Sequence, residues 1–380
     1  MKILLFGGSF DPPHRGHERL LRAALNRLRP DRAYIVPAYR SPFKSGHQAS
    51  PAHRLGLAEV LRNRLPAAWR KRVEISSYEL RHKRPSYTFQ TLRYFRTKHP
   101  SAQIWFLTGS DSLASFSRWA RHRELQKACH WIVGRRAEAR TPRNKLPPHE
   151  ILPGRFPPIS STDVRCKLIA GLETRDILST PVLAYIRRHE LYGVKIHKEL
   201  KHTLSPERFR HTLEVARLAL KLAYCHGFDP EKTATAALLH DAGRRFRPEQ
   251  MARYAGRRHL RVPALKEIIQ NAPLLLHAYI SEDLAQRRFK IRDQAILSAI
   301  RNHTLGAVGM AGLDRLLYVA DVASEDRGFP EAFRIRKLAL RNLRAAFVSA
   351  ADTKLRYVRK NDLWLHPGSQ RFETWCHNRA

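Results

Sequence analysis

The sequence predicts an α/β domain, a parallel sheet flanked by helices, over residues 1–194, followed by an all-α domain over residues 205–380. Residues 195–204, rich in charge, read as a linker. Three observations carry this. The chain opens with four consecutive apolar residues, Ile3 to Phe6, then two glycines, then an amphipathic stretch from Glu18 to Leu25. Short apolar runs alternate with helical patterns through residue 194, which implies parallel strands joined by right-handed crossovers. Beyond Ser205 nothing alternates with period two, and apolar residues recur at helical spacing, as at Phe209, Leu213, Ala216, Leu220 and Ala223.

Taken in order, residues 3–6 read as a buried strand that Gly7 and Gly8 end. Pro12-Pro13 blocks an immediate helix, which begins near Glu18. Strand, glycine turn and helix bring a phosphate close to backbone N–H groups, and Gly7 and Gly8 permit that approach because they lack Cβ. His14 and His17, three apart, can face one ligand at the helix mouth. Residues 33–36 form a second strand, ending in the proline-punctuated loop 37–44 with Lys44. Both loops lie at the carboxyl edge of the sheet, where such sheets bind ligands. Residues 54–65 read as a helix, 73–75 as a strand, and Ser86-Tyr87-Thr88 as a cap opening a helix. Residues 104–107 are the next strand, followed by Gly109, Asp111 and Trp119. A tryptophan there is commonly core, but it can also stack on a flat cationic ring. Residues 131–133 form another strand, 141–158 read as a Pro-rich loop, and Ser160-Ser161-Thr162-Asp163 is a helix cap with Arg165 three residues after Thr162.

The formal charge is +37, an excess of +22 over residues 1–194 (36 Lys/Arg against 14 Asp/Glu) and +15 over the rest (34 against 19). It is spread over both halves. Nucleic-acid affinity is one explanation. No stacking-aromatic or basic-helix module accompanies the charge, so a basic surface that attracts polyanionic nucleotides is preferred. The four cysteines are scattered without a C-x-x-C, which fits a reducing cytoplasm and neither a disulfide scaffold nor a zinc ribbon. No secretion signal is read at the start, and no apolar run approaches the ~20 residues of a membrane span. The expectation is a cytoplasmic protein with no membrane partner.

The second half carries its chemistry in His211, His240-Asp241, His277, His303 and Asp321. Each sits in or beside an apolar stretch. Buried imidazoles and carboxylates need partners. A lone histidine of this kind is usually a satisfied core residue. So many on successive helices are better explained by a metal with nitrogen and oxygen ligands.

The run Gly7-Gly8-Ser9-Phe10-Asp11-Pro12-Pro13-His14-Arg15-Gly16-His17 resembles the GG(T/S)FDPxHxGH motif of nicotinate mononucleotide adenylyltransferases (NadD-type), in the HxGH nucleotidyltransferase superfamily. The resemblance continues through Pro85-Ser-Tyr-Thr-Phe-Gln-Thr-Leu92, Gly109-Ser-Asp-Ser-Leu113 with Trp119, Ile159-Ser-Ser-Thr-Asp-Val-Arg165, and Pro181-Val-Leu-Ala-Tyr-Ile186 with Leu191-Tyr-Gly193. It implies a Rossmann-like nucleotidyltransferase fold and Mg²⁺-dependent adenylyl transfer from ATP to nicotinate mononucleotide. His14 and His17 are implied as catalytic. Gly7, Gly8, Ser9, Phe10, Lys44, Thr88, Gly109, Asp111, Trp119, Ser160, Ser161, Thr162 and Arg165 are implied as substrate-binding. Arg136 departs from the family's usual Arg-Pro-Gly at the end of its strand.

The order H…HD…H…H…D resembles the HD-domain phosphohydrolases, and the wording around His277, His303, Asp321 and Arg327 resembles their YqeK group over residues 203–350. This implies symmetrical hydrolysis of diadenosine tetraphosphate to two ADP by two metal ions, iron in that group. The ligands implied are His211, His240, Asp241, His277, His303 and Asp321. Asp241 is also implied as catalytic, and Arg327 as substrate-binding. Arg244 stands where HD-x-x-Lys is common, and residues 351–380 show no motif. Rival readings are nicotinamide mononucleotide as acceptor, another nucleotide as the second substrate, or a second half that only binds nucleotide or RNA.

Overall fold

A computed structural model describes the chain except residues 43–48, 137–145 and 380. Residues 1–165 with 173–192 form one compact unit, and residues 166–172 with 193–380 form another. The short stretch 166–172 groups with the second because Cys166 and Ala170 are buried in its core beside Val215 and Ala216.

The first unit is built on β1 (Lys2–Gly8), β2 (Arg32–Pro37), β3 (Val73–Ile75), β4 (Gln103–Gly109), β5 (His130–Arg136) and β6 (His149–Phe156). The strand order is β3-β2-β1-β4-β5-β6, and every pair is parallel. Ile3 and Leu5 enter one core with Phe95 and Leu113, while Leu4 and Phe6 enter the other with Leu21 and Leu25. Both faces of β1 are therefore covered, which is why it reads as an unbroken apolar run. Numbering helices of nine residues or more, the chain has α1 (Arg15–Leu28), α2 (Pro51–Asn63), α3 (Thr88–Lys98), α4 (Ser161–Ile169) and α5 (Thr180–Arg188) up to residue 192.

Two expectations are corrected in this unit. Gly7 and Gly8 do not end β1; they pair with Val36 and Pro37 as its last residues. Part of the expected loop 141–158 is the edge strand β6. Its composition hid it, because Leu152 and Phe156 are its only buried residues and Gly154, at φ +104°, breaks the alternation. Since β1 lies between β2 and β4, the strand order reverses there. The carboxyl ends of β1 and β4 then flank a crevice, the place where such sheets take ligands.

The second unit is helical: α6 (Val194–Thr203), α7 (Pro206–His226), α8 (Pro230–Leu239), α9 (Pro248–Arg257), α10 (His277–Arg287), α11 (Gln294–Asn302), α12 (Gly312–Ala323), α13 (Pro330–Ala339), α14 (Leu343–Lys360) and α15 (Ser369–Arg379). The expected linker is α6. Its charged residues cover a helix whose Leu200 is fully buried with Leu238, Met251 and Ile280. Residues 351–380, silent in the sequence, complete α14 and form α15, which buries Phe372 and Cys376 against Tyr318 and Phe347. No helix among the described residues is long and apolar enough to cross a membrane.

Candidate active sites

The first site is a cleft of about 460 Å³ at the carboxyl ends of β1 and β4. Gly7, Gly8, Ser9, His14, His17, Thr88, Gly109, Asp111, Trp119, Ser160 and Ser161 all line it. His14 and His17 stack with ring centroids 3.9 Å apart. The His14 backbone N–H donates to His17 Nδ1 at 3.2 Å. A neutral His17 must then carry its proton on Nε2, which makes that nitrogen a donor. Thr88 is the first residue of α3, so the Ser-Tyr-Thr run does open a helix at the cleft wall.

Lys44 lies outside the described residues. Phe10, Thr162 and Arg165 are not part of the cleft lining. The Phe10 ring is fully buried and packs on Phe6 and His17, each at 5.3 Å. Arg165 donates through Nη1 to the Asp11 carbonyl at 2.6 Å and through Nη2 to Thr162 Oγ1 at 3.1 Å. Its guanidinium thus holds the motif loop. The Asp11 carboxylate accepts from the Ala49 N–H at 3.1 Å and the Tyr192 hydroxyl at 2.8 Å. Burial, and then Asp11, raise the Tyr192 phenol far above its ordinary value.

Two residues of this first site escaped the sequence reading. Arg54, 1 % exposed, donates to the carbonyls of Ser9, Ala38, Tyr39 and Ala49 and ties the loops after β1 and β2 together. Its signal was present: it occupies the buried stripe Arg54, Leu57, Ala58, Leu61 of α2, where an apolar residue belongs. Glu79 lines the cleft and accepts from Thr91 Oγ1 at 2.6 Å. Burial raises its carboxyl above the ordinary value, opposed by hydrogen bonds from Thr91 and Ser86. It buttresses the turn that carries Thr88.

The second site lies in the helical unit and gathers all six expected ligands. His211, His240 and Asp321 offer ligand atoms within 4.8 Å of one another, and so do His240, Asp241 and His303. His277 Nε2 is 3.2 Å from Asp241 Oδ1 and 3.1 Å from His303 Nε2. His240, His277 and His303 each donate Nδ1–H, at 2.6 Å, to the carbonyl three residues back, those of Ala237, Leu274 and Ile300. Each terminates or begins a helical turn where that carbonyl is at hand. In the neutral imidazole all three Nε2 atoms therefore carry lone pairs, and the Thr304 hydroxyl, 3.0 Å from that of His277 and 2.9 Å from that of His303, can donate its one proton to only one of those two. Burial keeps them neutral: it lowers His240, lowers His277 strongly, and pushes His303 down to about 3. Two lone pairs 3.1 Å apart, and a buried His240 Nε2 without a hydrogen-bond partner, are the arrangement a cation satisfies. The donor set fits a divalent metal.

Cations and one further carboxylate surround this centre. Arg208 Nη1 is 3.0 Å from Asp241 Oδ2, Arg327 Nη2 is 3.0 Å from Asp321 Oδ1, and Lys354 Nζ is 3.2 Å from Asp321 Oδ2. Against burial, the Arg244 guanidinium holds the Asp241 carboxyl far below the usual range. Lys354, His211 and Arg327 do the same for Asp321. Asp326, not expected as a site residue, accepts from His211 Nδ1 at 2.7 Å and so directs His211 Nε2 to Asp321. Burial lowers His211, but the hydrogen bonds to Asp321 and Asp326 prevail and raise it to about 9. Lys354 was hidden for the opposite reason from Arg54: a single lysine on a charged helix carries no local sign that it points inward.

Comparison with known proteins agrees with the two kinds of unit. The cytidylyltransferase-like family profile matches residues 5–167, and the HD domain profile matches residues 208–353. A Mycoplasma genitalium protein named "Probable nicotinate-nucleotide adenylyltransferase/Ap4A hydrolase" is 26% identical over 355 residues, covering 91% of this chain and 96% of that protein. A Mycoplasma pneumoniae protein of the same name is 27% identical, covering 94% and 98%. A Nitratiruptor protein named "Probable nicotinate-nucleotide adenylyltransferase" is 37% identical over 168 residues, covering 43% of this chain and 88% of that protein. With its HxGH cleft on a parallel sheet and its histidine-carboxylate centre in a helical unit, the chain belongs to the nicotinate-nucleotide adenylyltransferase family, carrying an HD domain in its second half.

Proposed function

We propose that the chain is a bifunctional cytoplasmic enzyme. Residues 1–194 join nicotinate mononucleotide to the AMP part of ATP, giving deamido-NAD and pyrophosphate. Residues 205–380 hydrolyse diadenosine tetraphosphate to two ADP. The observation that carries the first activity is that the HxGH histidines share one cleft with Thr88, Asp111 and Trp119. The relatives aligned over almost the whole chain support joining the two activities.

In adenylyl transfer a phosphate oxygen of the mononucleotide bonds to the α-phosphorus of ATP, and the bond from that phosphorus to the pyrophosphate oxygen breaks. Mg²⁺, when bound, neutralises charge on the phosphates. His17 donates Nε2–H to the transferring phosphate as charge builds, with His14 stacked against it. Gly7 and Gly8 admit the phosphates to the end of β1. The first N–H groups of α3 at Thr88 suit the nicotinate carboxylate, and the Trp119 ring suits the pyridinium. Arg165, on this reading, shapes the loop through Asp11 and leaves phosphate contact to others.

In the second unit His211, His240, Asp241, His277, His303 and Asp321 would hold two metal ions. We assign these as iron, which the resemblance to the YqeK group implies; the imidazole and carboxylate donors suit iron, manganese and other transition ions alike. Such ions, when bound, supply an activated water and polarise the phosphate chain. Arg208 orients Asp241, and Arg327 with Lys354 orients Asp321; their positive charge also complements a polyphosphate. Product chromatography tests both activities. ATP with nicotinate mononucleotide yields deamido-NAD; a preference for nicotinamide mononucleotide refutes the acceptor. Diadenosine tetraphosphate yields ADP alone; ATP plus AMP refutes symmetrical cleavage. Metal analysis of the purified protein tests the iron.

A further inference from the structure

A cavity of about 860 Å³ runs from Asp241, His277 and His303 outward to the segment that follows α14. Its inner end is charged. Its outer end adds large apolar surface: Phe329, Tyr357 and Leu363 line it and are 38 %, 62 % and 51 % exposed. Large apolar side chains gathered in the open at the mouth of one cavity mark a binding surface. Trp364 joins them half-buried, its body packed against the core of Met251, Ile268 and Leu276, which makes it a rigid face. Arg356 and Lys360 line the same cavity and add positive charge to it.

We propose that this segment is a nucleobase platform. Trp364 stacks on the purine at one end of the substrate, and Phe329 and Tyr357 close around it. The proposal rests on the hydrolase reading above and names what selects its substrate. A ligand that satisfies the whole cavity must be polyanionic where it meets the metal-ligand cluster and flat and aromatic at the lip. A bare polyphosphate leaves the aromatic lip without a partner, and a purely apolar ligand leaves the cations so. The volume suits a drug-sized molecule and far exceeds what one phosphate fills. Stacking on an aromatic face tolerates any base, so the platform selects nucleotides as a class over inorganic polyphosphate.

The test uses the full-length, metal-loaded protein. Trp364→Ala raises KM for diadenosine tetraphosphate roughly 5- to 100-fold, the range of one lost base stack, and leaves kcat within about twofold. Trp364→Phe restores most of the loss. An unchanged KM in Trp364→Ala overturns the platform while the hydrolase reading stands. Should Trp364→Ala lower the melting transition of the second unit, Tyr357→Ala decides: its exposed ring is removed without loss of packing, and a KM equal to wild type overturns the proposal. Calorimetric titration with ADP and with pyrophosphate needs no turnover. ADP binds the wild-type protein more tightly than pyrophosphate at a site that Trp364→Ala weakens for ADP alone. If wild type fails to cleave diadenosine tetraphosphate, the hydrolase reading falls. The platform then stands on that difference in ADP affinity, and equal ADP affinity in the two proteins overturns it.

Discussion

Replacing Arg54 by methionine keeps most of the side-chain volume and removes the guanidinium that holds two loops of the transferase cleft. Four carbonyls, those of Ser9, Ala38, Tyr39 and Ala49, lose a donor. An orphaned buried acceptor costs about 1–3 kcal/mol. A simple sum overstates the loss, because the Ser9 contact is long at 3.5 Å and each carbonyl has a second lone pair. The nearby Asp11 carboxylate keeps Arg165, whose Nη1 is 3.8 Å from its Oδ2, so it is not left as an uncompensated buried charge. The expected cost is therefore about 3 kcal/mol, well below the sum over four orphaned acceptors. For a unit of this size that lowers the melting temperature by roughly 6–12 °C. It leaves the unit folded at 25 °C if its stability lies in the usual range. Adenylyl transfer falls about 100-fold, because Ser9 and the loop after β2 are no longer held within the required fraction of an ångström. Scanning calorimetry resolves the transitions, and hydrolysis of diadenosine tetraphosphate serves as the internal control. A shift under about 2 °C, or an equal loss of both activities, refutes this account of Arg54.

His17→Ala lowers kcat for adenylyl transfer by roughly 10²–10³, the cost of one transition-state donor, with hydrolysis unchanged; steady-state kinetics on both substrates checks it. Asp326→Asn weakens metal binding about 10- to 100-fold by releasing the His211 ring, read by competition with a chelating dye, and an unaltered affinity removes Asp326 from the site. In metal-stripped protein the second unit loses stability as pH falls. His240, His277 and His303 have folded pKa values lowered by burial, His303 to about 3, so their contribution is present above about 6.5 and is lost as pH falls from there. His211, raised to about 9, works the other way: its contribution is present below about 6.5 and is lost as pH rises through 9. Three groups against one give the sign, and a melting temperature that does not fall between pH 6.5 and 4.5 refutes it.

Local pattern sufficed for a great deal of this protein. The unbroken apolar run of β1, the glycines after it and the amphipathic α1 identify a strand-turn-helix unit, because each is written in neighbouring residues. The histidines of the second unit stood out because imidazoles in apolar surroundings are conspicuous at any distance. Where local pattern was weak, the reading failed. β6 is an edge strand with two buried residues, and α6 shows its charged face more plainly than its single buried leucine.

What the sequence by itself determined is the order of elements, the two kinds of unit and the residue types brought to each site. The tertiary structure alone decided how those residues are held. Tyr192 reaches Asp11 across 181 positions, Arg165 reaches it across 154, and His211 meets Asp326 across 115. It also decided that Arg165 hydrogen-bonds the motif loop, and that the motif-less C-terminal segment lines the second cavity. The physical reason is that periodicity records which face of an element is apolar, whereas a hydrogen bond between distant residues depends on how the elements pack, which no window of neighbouring residues contains.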